Sequence, residues 1–373
     1  MIRIPYPLLL RFQGSLFGAV LGELIAAQHF CTQSSPQNLR QLPQASSLSQ
    51  RLIQSTQNLL IVRRDDHADR LLDSVDSRPS DSSPAPLDPG LNESWLQQTP
   101  QPLEVAIGLL PYLLYSHESP KALNHTLETL IPHLSPRHCS LLGLVAGGLA
   151  LALREPGKPA APAPFLRPWL TAFPTQANWE DSRAEWVGVQ QFPLQALEDW
   201  LTQQRSLHFV QQWLQTRSQI PVEFQQVLQV LYCFLSTPQD VMTIINRTIY
   251  QASYPTENST LVGALAGALG GAYNGVMGFP IAWRRAMMGA DAGLAELGLE
   301  ESMGENPVFA KSVWNEHLDG HLLNGYLNES QCESLAMQLL LAWAGVDPQL
   351  RSTMTVPAVA APRALNLRSR NRP

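Results

Sequence analysis

The stretch NSTLVGALAGALGGAYNGVMGFPIAW, Asn258 to Trp283, contains no charged residue and sets Gly263, Gly267, Gly270 and Gly271 among alanines. Glycine inside a helix costs about 1 kcal/mol relative to alanine, so something outside the helix must compensate. A second stretch, RFQGSLFGAVLGELIAA, Arg11 to Ala27, places Gly14, Gly18 and Gly22 four residues apart, on one face of a helix. Flat glycine faces allow two backbones to approach closely. The two stretches are therefore expected to be central helices packed against each other.

The first of these stretches is long enough to span a bilayer. Its bulk is Gly and Ala with Asn274 and Pro280 inside, which makes its transfer into lipid weak, and a buried helix is the expectation. Near the N-terminus, the apolar patch Leu8 to Leu10 is followed by Arg11, Gln13 and Glu23, which break the core a signal peptide would need.

Apolar residues recur at helical spacing elsewhere and almost nowhere alternate at period two, so an all-α domain with several helices is expected. The spacing predicts helices near 8–28, 48–62, 102–116, 120–131, 138–153, 193–214, 222–236, 239–251, 259–277 and 330–345. In the 222–236 helix, Val222, Phe224, Val227, Leu228, Leu231 and Leu235 form the stripe expected to face the core. One domain over 1–348 is expected, with a flexible insertion at 64–100 that is rich in Asp, Ser and Pro. The Pro-rich run EPGKPAAPAPFLRP over 155–168 reads as an extended connector, and the basic, proline-broken tail 349–373 as disordered.

With 373 residues and 45% hydrophobic content, the chain can fill a sizeable core. A net charge of −6 gives no global basic field, so neither nucleic acid nor a membrane surface is expected as a partner. Cys31, Cys139, Cys233 and Cys332 are scattered without a paired-ligand spacing, which fits reduced structural thiols in the cytoplasm. The chain has no GxxxxGK[ST] and no GxSxG. His317 and His321 stand four apart in EHLDGH, but Gly320 weakens a helix there and no third ligand is evident, so a turn is expected instead of a zinc site.

Both glycine-rich stretches resemble the ADP-ribosylglycohydrolase family. In that family an N-terminal helix of the form GALLGLAxGDAxGA is followed much later by DxDTxxAxAGAxxGAYYG and then by a Pro-containing turn and Trp. Gly14, Gly18 and Gly22 match the first pattern; Ala264, Ala266, Gly267, Ala268, Gly271, Ala272, Tyr273, Gly275, Pro280 and Trp283 match the second. The stretch Leu231 to Tyr250 also resembles the helix, turn and helix that precede the second motif. The resemblance implies a compact all-α fold whose central cleft holds two Mg²⁺ or Mn²⁺ ions and cleaves a glycosidic bond of ADP-ribose attached to a protein. Hard oxygen ligands are required for that chemistry.

Carried over by position, the family's aspartate after the third glycine becomes Glu23, the expected catalytic carboxylate if one survives. The aspartates of DxDT become Asn258 and Thr260, and the closing threonine becomes Leu261, so both anionic ligands are lost. The family's TDDT motif, at the start of an early helix, has no clear counterpart. Asp65 and Asp66 are the only adjacent acids in that part of the chain and read as a charged turn beside Arg63 and Arg64. The expected ligand cleft is lined by Gly22, Glu23, Asn258, Ser259 and Thr260. No cofactor is expected; if a metal binds, Glu23, Asp65, Asp66 and Glu257 would hold it. The reading is a catalytically impaired protein that binds ADP-ribose or an ADP-ribosylated protein. Its alternatives are an active hydrolase with an altered metal site and a structural assembly protein with no small ligand.

Overall fold

A computed structural model describes residues 7–34, 48–60, 101–127, 134, 136–154, 162–171, 193–250, 259–281, 283–284 and 327–344. The described residues are mostly helical, with no strand among them. In chain order the helices are α1 (Pro7–Ser34), α2 (48–60), α3 (Pro102–Gly108), α4 (Leu110–Tyr115), α5 (Pro120–Leu127), α6 (Pro136–Ala152) and α7 (Pro162–Thr171). They continue with α8 (193–202), α9 (Leu207–Gln215), α10 (Val222–Ser236), α11 (Val241–Tyr250), α12 (Ser259–Asn274) and α13 (Glu329–Ala344). A single 3₁₀ turn, Val276–Gly278, follows α12. The expectations placed on 64–100, on 349–373 and on His317 and His321 fall outside the described residues.

The axis of the fold is the pair α1 and α12, packed antiparallel and glycine against glycine. A methyl group built on Gly14, Gly18 or Gly22 would lie 2.4, 2.1 or 2.0 Å from the carbonyl oxygen of Gly271, Gly267 or Gly263, respectively. Built from the other side, the same pairs clash at 1.9 Å for Gly271 and Gly267 and at 2.5 Å for Gly263. Backbone therefore meets backbone, closer than the interaxial distance of about 8–10 Å usual for side-chain packing. Glycine CH groups facing carbonyl oxygens across such an interface add weak hydrogen bonds that offset part of the glycine cost.

Around this pair, the buried side chains form one continuous core from Phe12 to Leu339. Leu8–Ala27 has the length and composition of a membrane span, but most of it is buried against other helices. The turn after α12 is fixed at Gly275, whose φ of +70° favours glycine, and by Asn274, which donates to Pro238 O at 2.7 Å and Gly270 O at 2.9 Å.

Three expectations need correction. The 155–168 run is not extended throughout, because α7 starts at Pro162. Pro162 and Pro164 fall in the first turn, where a missing N–H costs nothing, and Pro168 and Pro164 are both exposed, so the carbonyl freed by Pro168 can meet water. The single helix expected over 193–214 is two, divided where Gln204 adopts φ +49° and Ser206 caps α9 by accepting from Phe209 N–H at 3.2 Å. In α10, Val222 is 46% exposed, while every residue from Phe224 to Phe234 is buried, Gln225, Gln226 and Gln229 included. That helix is surrounded by α6, α9, α11 and α12, so it buries all sides instead of one stripe.

Candidate functional site

The antiparallel register that joins Gly22 to Gly263 sets Glu23 level with the first turn of α12, which begins at Ser259. Ala26 follows on the same side, since a methyl group on Gly263 would meet its Cβ at 2.8 Å. Gly22, Glu23, Ser259 and Thr260 are thus brought to one end of the glycine pair. Gly22 is buried and the other three are half-buried. No ligand fits between the helices, because their backbones touch.

The N-terminus of α12 presents backbone N–H groups and a partial positive charge, and there is no acidic residue in its first turn. A nearby carboxylate such as Glu23 is favourable there. Beyond Ala26, His29 of α1 meets Tyr250 at the end of α11 edge-on, with ring centroids 4.1 Å apart. Burial lowers the His29 pKa, which favours the neutral imidazole, while Tyr250 as a residue is 56% exposed. Sequence reasoning missed this pair. The signal available for it was that His29 lies seven residues after Gly22, on the face of α1 that the glycines define.

Asn258, Glu257, Asp65 and Asp66 lie outside the described residues, so the structure neither joins them to Glu23 nor separates them from it. Two divalent ions held close together need several carboxylate oxygens. At this end the described residues contribute one carboxylate, Glu23, and the hydroxyls of Ser259 and Thr260. Among the described residues no three His, Cys, Asp or Glu side chains converge. Among the described residues alone, this donor set is too small for a binuclear centre, while Glu257, Asp65 and Asp66 lie outside them.

Helix α2, the described helix between α1 and α3, contains no carboxylate. Its Ser49 hydroxyl is buried and accepts the Leu327 N–H at 3.2 Å, which fixes the chain entering α13. Arg51 of α2 pairs with Glu104 of α3, the one acid in the QPLEVAIGLLPYLLY segment. That acid is therefore engaged in joining two helices. Cys139 and Cys233 are buried, and burial pushes both thiols up to about 11, which leaves them protonated and unreactive near neutrality.

The sequence matches the model of one protein family, described as ADP-ribosylglycohydrolase, over residues 5–306. No curated protein and no solved structure matches the chain. The matched span takes in α1 to α12 and so includes both glycine-rich helices and the end where Glu23 and Ser259 meet.

Proposed function

This chain belongs to the ADP-ribosylglycohydrolase family, and we propose that it keeps the family's fold and ligand-binding end but has lost the binuclear metal centre. It then binds ADP-ribose, or a protein carrying it, without cleaving the glycosidic bond. The observation that carries this reading is the start of α12. That helix opens at Ser259 with no acid in its first turn, at the position where the family's DxDT supplies anionic ligands. The absence of a carboxylate from α2 supports the same reading. Ser259, Thr260, Glu23 and the exposed face of Tyr250 suit hydrogen bonding to ribose hydroxyls and stacking on a planar base.

A second reading, an active hydrolase with an altered site, rests on Glu23. It keeps a carboxylate level with the α12 N-terminus, one methylene longer than the aspartate of the family pattern. An ADP-ribosylated protein incubated with the chain in Mg²⁺ or Mn²⁺ separates the two. The proposal expects ADP-ribose release no faster than in the protein-free control. Release that Glu23→Gln abolishes would establish the second reading instead.

A further inference from the structure

Tyr250 is the last residue of α11 and stands largely in solvent, although Thr248 and Ile249 just before it are buried. An exposed aromatic side chain at a helix end ordinarily samples several rotamers. Here the ring meets the His29 imidazole of α1, with centroids 4.1 Å apart and planes inclined at 67°. His29 is half-buried. Because Tyr250 as a residue remains 56% exposed, the contact removes little of its surface from water, and packing area alone gives it a small share in stability.

The register of α1 against α12 places the pair. Gly14, Gly18 and Gly22 meet Gly271, Gly267 and Gly263, so every step along α1 is matched by an opposite step along α12. Continued by four residues, that register sets Ala26 level with Ser259, where α12 begins. His29 lies three residues further on, about 4.5 Å past the start of α12 at a helical rise. At that level α1 meets the end of α11, and the Tyr250 ring is presented at the Glu23 end of the glycine pair. A neutral imidazole suits the contact: burial lowers the His29 pKa, so near neutral pH no full charge is taken out of water beside the ring.

We infer that His29 is a positioning residue that acts through Tyr250, holding the phenol ring so that its outward face receives the planar base of a nucleotide. Edge-on aromatic pairs are favoured by their complementary quadrupoles, which fixes the angle between the rings. A ring already held in one rotamer loses less freedom when a base stacks on it, a saving of about three- to tenfold in affinity for one such side chain. The inference rests on the reading that this end binds ADP-ribose. To that reading it adds the source of a preference for ligands that carry a base over bare sugar phosphates. His29 itself needs no contact with the ligand.

Calorimetric titration of ADP-ribose into the full chain and its variants tests it. His29→Ala should weaken binding about three- to tenfold, and His29→Phe, which restores an aromatic ring, should recover most of the loss. In a chain that already carries Tyr250→Ala, or Tyr250→Leu where binding would otherwise be too weak to titrate, His29→Ala should change affinity by less than about twofold. Should His29→Ala fail to fold, His29→Leu, which keeps apolar bulk without a ring, takes its place. A residue that only packs α1 against α11 would shift the unfolding temperature and leave affinity unchanged. Unchanged affinity in the single variant, no recovery with His29→Phe, or an equal loss in both Tyr250 backgrounds overturns the inference. A chain that binds no ADP-ribose before any substitution overturns the ligand reading itself and this inference with it, an outcome the first titration distinguishes from the others.

Discussion

Gly18 and Gly267 face each other across the α1–α12 contact so closely that a methyl group on either would penetrate the other's carbonyl, at 2.1 Å and 1.9 Å. The obstacle is backbone on both sides and cannot rotate away. Gly148 differs, because the nearest atom to its added methyl group, at 2.7 Å, is the Cδ2 end of the Leu231 side chain. Gly267→Ala is expected to cost about 3 kcal/mol or more and Gly148→Ala about 1 kcal/mol. Chemical denaturation of the two variants checks the order; equal losses would mean that the helices are not held backbone to backbone.

Arg11 of α1 donates through Nη1 to Leu153 O at 2.9 Å and Arg154 O at 3.0 Å, just past the end of α6, whose last turn has no basic residue of its own. A cation at a helix C-terminus satisfies orphan carbonyls and opposes the macrodipole. Arg11→Ala is expected to lower stability by about 1–2 kcal/mol, with part of the loss recovered in Arg11→Lys. Denaturation midpoints of the three proteins give the comparison, and identical midpoints would rule out the cap.

Asp240 accepts Thr243 N–H at 3.1 Å and the Thr243 hydroxyl at 2.6 Å, an N-cap for α11. The Thr243 hydroxyl is the largest influence holding the carboxyl below its ordinary value of 3.8. Because the folded pKa is the lower one, the stabilisation is complete above the unfolded value and is lost as pH falls through the folded value. Asp240→Ala should cost about 1 kcal/mol at neutral pH, a difference that shrinks below pH 3.8. A difference that grew on acidification would contradict the assignment.

Gln211 of α9 and Gln229 of α10 are buried, and neither side-chain Nε2 has a hydrogen-bond partner among the described residues. The two helices run antiparallel, tied at one end by the Tyr232 hydroxyl donating to Arg205 O and at the other by Gln225 donating to Ile220 O at 2.7 Å. A buried donor left unpaired costs about 1–3 kcal/mol. Gln229→Met, close in shape and without the orphan donor, is expected to raise the unfolding temperature by about 2 °C or more. An unchanged or lowered temperature would show that the amide is satisfied.

The glycine spacing in α1 and α12 was legible because a face repeated every four residues needs only the helical period to be seen. Their pairing in register was not, since periodicity defines a face without saying which residue it meets. Helix α7 escaped notice because Pro162, Pro164 and Pro168 were counted as breakers, although two lie in the first turn and the third is exposed. The division at Gln204 was hidden by apolar residues that continue the period through Leu207 and Val210, while the N-cap role of Ser206 depends on local backbone geometry. At the candidate site, Glu23 could be read from its place after Gly22. The His29–Tyr250 contact required the tertiary fold, because 221 positions separate the two residues.

The most direct test of the account is calorimetric titration of ADP-ribose into the full chain, first in chelator and then with Mg²⁺ or Mn²⁺. The account predicts binding of the same strength in all three conditions, reduced when Tyr250→Ala removes the exposed ring. Binding that appears only with the metal, and disappears in Glu23→Gln, would contradict the loss of the metal centre.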